Sequence, residues 1–503
     1  MVENEKTLYN YASLFYRIFF ITLILKLLLS YFFPLTGDEA YFITTGQKFY
    51  LGYYEHPPMV WWLIYLFSFL GKKIHHFFFY RLLSVFSTVI VAFLILKLLK
   101  KIDKKKGFLV ASLFLLSPVH ILGFLITTDT PLFIFTFLSG IFFYYGIEKG
   151  EKNYFVLSGI FWGLSFLSKY FSVLYLLSIL IYLFYRKEKK IWLNFILFLI
   201  ASLPFIFINL YWNYTHCWIN ILFNLVHRKR NYYFQITNLI AFFFSLFFLL
   251  TPYIFYLLFK NRFLISKKNN EDFNFFLFVF AIPVIFFFIL SFIRMVGLHW
   301  YLSFIPFIFI LAKNLEEKEI LKSLKIAFLF EIFIIIPIIF ITFCPVNLFK
   351  NFKKYSEIVM FGKPYSLCEY IKKFEKRYIL ATPGYTESAI MSYYCRNNFI
   401  VFGSFDHSGR QYDFSFDFKE IDGKDILIFS TYWIDKKIYE NFFEEIIAHE
   451  IIVEDAKFYL LFCKKFNYQN YRDIILRQIY ERFYKIPKFL PFKGNFFKEK
   501  YNL

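Results

Sequence analysis

Apolar stretches of about 20 residues, the length that crosses a hydrocarbon layer of about 30 Å, recur along this chain between breaks of charge, proline or glycine. Eleven are read, near residues 12–33, 79–99, 107–126, 131–147, 153–168, 171–185, 191–211, 238–259, 274–293, 299–312 and 326–344. The fifth, sixth and tenth are short. A further run, "MVWWLIYLFSFLG" from Met59, has only about 13 residues and suits a helix lying in the membrane interface. After residue 345 the pattern changes. "RYILATP", "FIVFGS", "DILIFSTYW" and "FYLLFCKKF" read as short buried strands, and "TESAIMSYYCR" and "KKIYENFFEEIIAHE" as helices. The expectation is a mainly α, polytopic membrane domain over residues 1–345, followed by a small α/β domain over 346–503.

Composition agrees with a membrane protein. Of 503 residues, 59% are hydrophobic, and the mean hydropathy of +0.51 is too high for an ordinary soluble domain. The 79 Phe and 40 Tyr accompany abundant Ile, Lys and Asn, which points to nucleotide bias in the gene rather than to an aromatic binding surface. The net charge of +21 is explained by topology. With the N-terminus inside, the inner loops "KKIDKKK", "EKGEK", "RKEKK", "KNRFLISKK" and "KNLEEKEILKSLK" hold 19 basic residues, and the outer face holds 8: Lys48, Lys72, Lys73, Lys169, Arg228, Lys229, Arg230 and Arg294. The N-terminus is therefore expected in the cytoplasm and the C-terminal domain outside the cytoplasmic (inner) membrane. That domain carries 25 basic and 20 acidic residues, so the charge gives no case for nucleic-acid binding. The N-terminal sequence lacks a basic region followed by a small-residue cleavage site, and its apolar stretch reads as a retained span. The five cysteines have no metal-ligand spacing, although Cys368 and Cys395 could pair in an oxidising compartment.

Under this topology, acids and bases from distant turns collect on the outer face. "GDEAYFITTGQKFYLGYYEHPP" places Asp38, Glu39, Glu55 and His56 in the first outer loop, and "TTDTP" places Asp129 in the second. Lys169 lies at the third outer turn, "NYTHCW" and "HRKR" in the fourth loop, and "RMVGLHW" brings Arg294 and His299 to the fifth. Each has a plainer reading. Asp38 and Glu39 suit an N-cap and first-turn acid, Asp129 a helix cap, and Lys169 a snorkelling lysine. His75, His76 and His227 read as surface residues. As a group, however, the acids offer a base for a hydroxyl or amine acceptor, and the cations offer charge for a lipid-borne phosphate.

"GDEAYFITTGQKFYLGYYEHPPMVWWLI", with "TTDTPL", "GLSFLSKYFSVLYL" and "LHWYLSFIP", resembles the GT-C glycosyltransferases that use polyprenyl-phosphate sugars. The similarity is to the branch of protein O-mannosyltransferases, lipid A aminoarabinose transferases and bacterial galacturonosyltransferases, and covers roughly residues 12–312. The tail, with "GYTESAIMSYYCRNNFIVFG", resembles the extracytoplasmic domain of bacterial members. The resemblance implies the GT-C fold and inverting transfer from a polyprenyl-phosphate sugar to a glycolipid (lipid A among them), another surface glycan or a protein. Asp38 falls on the family's first-loop catalytic acid, Glu39 on its second acid, and Asp129 on the second-loop acid. Glu55-His56-Pro57-Pro58 falls where aminoarabinose transferases have Glu-Lys-Pro-Pro, whose Lys helps bind donor phosphate. His56 replaces that Lys, which argues against aminoarabinose as the sugar. Lys169, Arg294 and His299 are left, by position and charge, to hold the phosphate. The chemistry demands no metal or other cofactor. A transporter or flippase for a lipid-linked glycan is the alternative, but transport usually places ionisable groups at mid-membrane, where Glu331 is the one acid expected.

Overall fold

A computed structural model describes residues 2–227, 234–260, 274–403 and 410–503, so Arg228, Lys229, Arg230 and most of the "KNRFLISKK" loop lie outside the described residues. The chain divides into two compact units. The first comprises Met1–Phe32, Leu70–Ile208 and Arg230–Thr342, and the second Phe33–Phe69, Asn209–Lys229 and Phe343–Leu503. The unit that carries the C-terminal segment thus also takes in the "GDEAY…EHPP" stretch.

Six helices among the described residues are long and apolar enough to cross a membrane: Lys6–Phe32, Phe78–Lys100, Asp129–Lys149, Lys189–Thr215, Asn274–Ser291 and Glu317–Phe343. A seventh candidate is the pair Ile236–Leu250 and Pro252–Phe259, which meet at 112°. The bend falls at Thr251, whose φ of 67° leaves the helical region just before a proline. The other four segments read as spans are shorter. The segment at 107–126 ends its helix at Leu115, because Ser117 is driven to extended backbone ahead of Pro118. Lys152–Phe166 and Val173–Arg186 have 15 and 14 residues, and the 299–312 segment is a 3₁₀ turn followed by Pro306–Leu311. Met59–Ile74 is a helix, as its apolar run predicts. The first unit's core is a continuous aromatic and aliphatic packing that includes Phe137, Phe143, Phe198, Phe275 and Phe307.

The second unit is built on a five-stranded sheet of order β2-β1-β3-β5-β4: β1 Ile379–Thr382, β2 Ile400–Val401, β3 Ile426–Ser430, β4 Phe443–Val453 and β5 Ala456–Phe466. β1 pairs in parallel with β2 and β3, and β5 runs antiparallel between β3 and β4. β3 is buried at all five positions, in keeping with the apolar run Ile426–Phe429 ahead of buried Ser430. The helix Tyr385–Cys395 follows β1, as expected, and the Cys368–Cys395 disulfide is present.

The expected helix over "KKIYENFFEEIIAHE" is corrected. After two short 3₁₀ turns this segment becomes β4, an edge strand hairpinned to β5. Glu454 and Asp455 take φ of 50° and 60°, the pair of left-handed residues that a two-residue hairpin of this hand requires. Glu445 to Lys464 and Glu450 to Lys457 then pair across the strands at 2.8 Å each. The charged side chains of this segment cover a sheet edge.

Candidate active site

The "GDEAYFITT" stretch forms a helix. Thr36 caps Gly37–Thr45: its hydroxyl accepts from the Glu39 N–H at 3.3 Å, and the Glu39 carboxylate accepts from the Thr36 N–H at 3.1 Å and hydroxyl at 3.0 Å. This reciprocal box consumes Glu39, which is fully buried. Asp38, one residue earlier on the same turn, is exposed. The turn packs closely on the Tyr385–Cys395 helix, since a Cβ at Gly37 would sit 2.2 Å from the Thr386 methyl. That approach brings the Tyr385 hydroxyl to 3.5 Å from Asp38 Oδ1.

Glu55 is 4% exposed and pairs with Arg410, 355 residues away in sequence. The loop that carries it is fixed by side chains from 209–229: Asn220 donates to the Tyr53 carbonyl at 2.9 Å and Asn224 to the Glu55 carbonyl at 2.6 Å. From the other side, Gln411 accepts from the Tyr54 N–H at 3.0 Å and donates its own N–H to the Tyr41 hydroxyl at 3.1 Å. Burial raises the Glu55 carboxyl above its ordinary range, and the Arg410 guanidinium opposes that rise. Arg410 also lies over the Tyr385 ring, 3.7 Å from its centroid. Arg410 and Tyr385 were not singled out from the sequence. The one signal was the "GYTESAIM" run, noted only for its resemblance. His56 is half-buried beside Glu55.

Glu387, on the first turn of the Tyr385–Cys395 helix, is 9% exposed and accepts from the Thr431 hydroxyl at 2.8 Å. Burial raises its carboxyl, and the Thr431 bond works against the rise. A carboxyl raised in the folded state contributes most to stability below its ordinary value of about 4.5, and loses that contribution as pH climbs through the folded value. Glu387→Gln keeps an acceptor for Thr431 but does not ionise. Its unfolding midpoint is therefore expected to fall less than the parent's on going from acid to neutral pH. Parallel pH profiles for the two proteins would show that ionising Glu387 costs the fold nothing.

In the first unit, Asp129 opens its helix and Lys169 follows Lys152–Phe166. Lys169 Nζ donates to both Asp129 oxygens, at 2.8 and 2.9 Å, with both side chains only 7% exposed. Phe171 flanks the ammonium at 5.4 Å. Asp129 is held in place by neighbouring threonines, its N–H donating to the Thr127 hydroxyl at 3.2 Å while Thr130 accepts from the Thr127 N–H at 3.1 Å. Asp129 and His299 both line a cavity of about 190 Å³, with Ser84, Thr88 and Thr130 adding hydroxyls to an otherwise apolar wall. Arg294 is half-buried, 4.8 Å over the Trp300 ring, on the loop that also carries exposed His299.

The eight expected site residues therefore form two sets. Asp38, Glu39, Glu55 and His56 belong to the second unit, together with Tyr385 and Arg410, while Asp129, Lys169, Arg294 and His299 belong to the first. Among the described residues no group of three His, Cys, Asp or Glu side chains is placed to hold a metal ion.

Residues 55–212 match the family model described as dolichyl-phosphate-mannose-protein mannosyltransferase. No curated protein matches the sequence. Two crystal structures of ArnT from Cupriavidus metallidurans match nearly end to end. The apo structure gives a TM-score of 0.61 at 12% identity, over 90% of this chain and 98% of that one. The structure bound to undecaprenyl phosphate gives 0.61 at 12%, over 88% and 97%. The chain has the GT-C fold, with several membrane-length helices and a small C-terminal sheet, as the sequence resemblance implied.

Proposed function

We propose that this chain is an inverting glycosyltransferase that moves a sugar from a polyprenyl phosphate to an acceptor on the outer face of the cytoplasmic membrane. The observation that carries the reading is the end-to-end fold match to ArnT, of which one structure holds undecaprenyl phosphate. Asp38 is the base: it is exposed, and its carboxylate is engaged only weakly among the described residues, by the Tyr385 hydroxyl at 3.5 Å. It takes the proton of an acceptor O–H or N–H as that oxygen or nitrogen bonds to the anomeric carbon. The bond from that carbon to the phosphate oxygen breaks, and its electron pair leaves with the lipid phosphate. Because the leaving group is already stable, the protein's work is positioning and charge stabilisation. Lys169 is already paired with Asp129, and Arg294 and His299 are proposed to meet the phosphate. The acceptor is a glycolipid, another surface glycan or a protein.

Purified protein in detergent, given an undecaprenyl-phosphate sugar and membrane lipids extracted from the same cells, should produce glycosylated product detectable by mass spectrometry. The rival reading, transport of a lipid-linked glycan, draws on Lys26 and Glu331, both buried within spans. Transport needs two compartments, so transfer in detergent separates the two readings. Arg294→Ala is expected to raise the apparent donor KM by about 10-fold, the worth of one charge-assisted contact, without changing the acceptor KM. An unchanged donor KM would reduce Arg294 to a stacking partner of Trp300.

The 19 to 8 distribution of basic residues supports a cytoplasmic N-terminus, and the Cys368–Cys395 disulfide supports an oxidising compartment for the C-terminal segment. A periplasm-only reporter fused after Tyr501 should be active. Activity of a cytoplasm-only reporter there would overturn this orientation.

A further inference from the structure

The sheet of the second unit has a point where the chain's connections diverge. From β1 the chain passes through the Tyr385–Cys395 helix to β2 on one side, and from β3 it passes to the β4–β5 hairpin on the other. β1 and β3 are adjacent and parallel, so the loops at their carboxyl ends part and leave a crevice, which is where open α/β sheets place ligands. A cavity of about 460 Å³ lies there, within the roughly 300–1,000 Å³ of small-molecule sites. Tyr385 and Glu387 line it from the β1 side, and Thr431 and Tyr432 from the β3 side.

We propose that this cavity is a carbohydrate subsite that takes a pyranose ring of the acceptor, with Glu387 and Tyr432 selecting it. The word acceptor rests on the glycosyltransferase reading, whereas the subsite itself rests on the cavity. Glu387 is nearly buried, and among the described residues no cation pairs with it. The Thr431 hydroxyl and the backbone N–H groups of Thr431 and Gly384 already bond to its carboxylate, and the acceptor capacity left over is enough for one ring hydroxyl. Tyr432, half exposed at the rim, offers a ring face to the C–H face of a sugar, and Phe361 and Phe483 widen the apolar wall. The wall leads to the base, since Tyr385 borders the cavity and its hydroxyl is the group 3.5 Å from Asp38 Oδ1. A hydroxyl of a ring held here has a route to Asp38. A phosphate fits less well: of the two lining arginines, Arg410 is already paired with Glu55, and the Glu357 and Glu387 carboxylates share the space with Arg482. An extended peptide would seek a strand edge, whereas this cavity lies at strand ends.

The test uses detergent-purified full-length protein without donor. Saturation-transfer NMR is recorded with the methyl pyranosides of glucose, galactose, mannose and N-acetylglucosamine. At least one should bind, and Tyr432→Ala and Glu387→Gln should each weaken it by about 10-fold, the scale of a lost hydrogen bond to a charged group or of a lost contact face. Glu450→Gln, on the β4 edge, should leave it unchanged. Because Glu387 is buried, its variant counts only if its thermal midpoint is near the parent's; exposed Tyr432 carries the test otherwise. Displacement of the bound pyranoside by a membrane glycolipid but not by a free oligosaccharide, or the reverse, tells which of the two sources supplies the ring.

Absence of binding by every pyranoside overturns the proposal, as does binding indifferent to both variants, or displacement by a serine- and threonine-containing peptide. In the transfer assay both variants should raise the acceptor KM alone, and a rise in donor KM instead would give the cavity to the donor sugar and overturn the assignment. The two readings fail separately. Pyranoside binding without any transfer sinks the enzymatic reading, and transfer with no pyranoside binding sinks the subsite.

Discussion

Asp38→Asn is expected to lower sugar transfer by ~10²- to 10⁴-fold, the usual worth of a positioned general base, while expression and donor affinity stay near those of the parent. The substitution keeps the side chain's size and its ability to accept from the Tyr385 hydroxyl, and removes only the proton-accepting charge. The helix it sits on loses little. A first-turn acid at an exposed helix start contributes about 0.3–1 kcal/mol, and the cap itself is made by Thr36 and Glu39. Glu39→Gln supplies the internal comparison, because glutamine also completes a capping box and should leave transfer near normal. The measurement is transfer rate and undecaprenyl-phosphate affinity on folded, purified protein for both variants. Near-normal turnover in Asp38→Asn would make that residue a first-turn acid and nothing more. A collapse in Glu39→Gln with Asp38→Asn unaffected would exchange their roles.

Glu39 shows how far the sequence could be read. Most local signals carried through, since the helix over Gly37–Thr45, the long apolar spans, the apolar β3 and the helix after β1 all form where their patterns lie, but the cap expected at Asp38 is made instead by Thr36 with Glu39. The segments at 107–126 and 299–312 were less legible, because a hydropathy run does not register where Pro118 or Pro306 interrupts the backbone hydrogen bonding. β4 was misread since its charges have no meaning until β5 is laid beside it. The site divides in the same way. Each ionisable residue at a span end could be picked out singly, but the partner of each is set by tertiary structure. Nothing local links Glu55 to Arg410 across 355 positions, or Asp129 to Lys169 across 40. A cation expected to wait for a phosphate turned out to have a carboxylate already in its grasp.

That pair carries the largest expected effect on stability. Removing the ammonium in Lys169→Ala leaves the Asp129 carboxylate 7% exposed with its bidentate partner gone, and breaking a buried pair from one side typically costs about 3–5 kcal/mol. Removing both charges together, as Asp129→Asn with Lys169→Met, leaves no uncompensated ion and should recover most of that loss. The ordering is the signature of a buried pair, whereas a snorkelling lysine would cost little alone. Unfolding midpoints of the three purified proteins against the parent give the ordering directly. Donor binding is measured on the same samples, because the sequence placed Lys169 at the lipid phosphate and the structure gives it to Asp129. If Lys169→Ala is as stable as the parent yet binds undecaprenyl phosphate more weakly, the ammonium serves the donor and Asp129 only stores it between turnovers. If the single variant is unstable and the double variant is both stable and able to bind the lipid, the pair is a structural clamp, and the phosphate's cation lies elsewhere, with Arg294 and His299 the residues to substitute next.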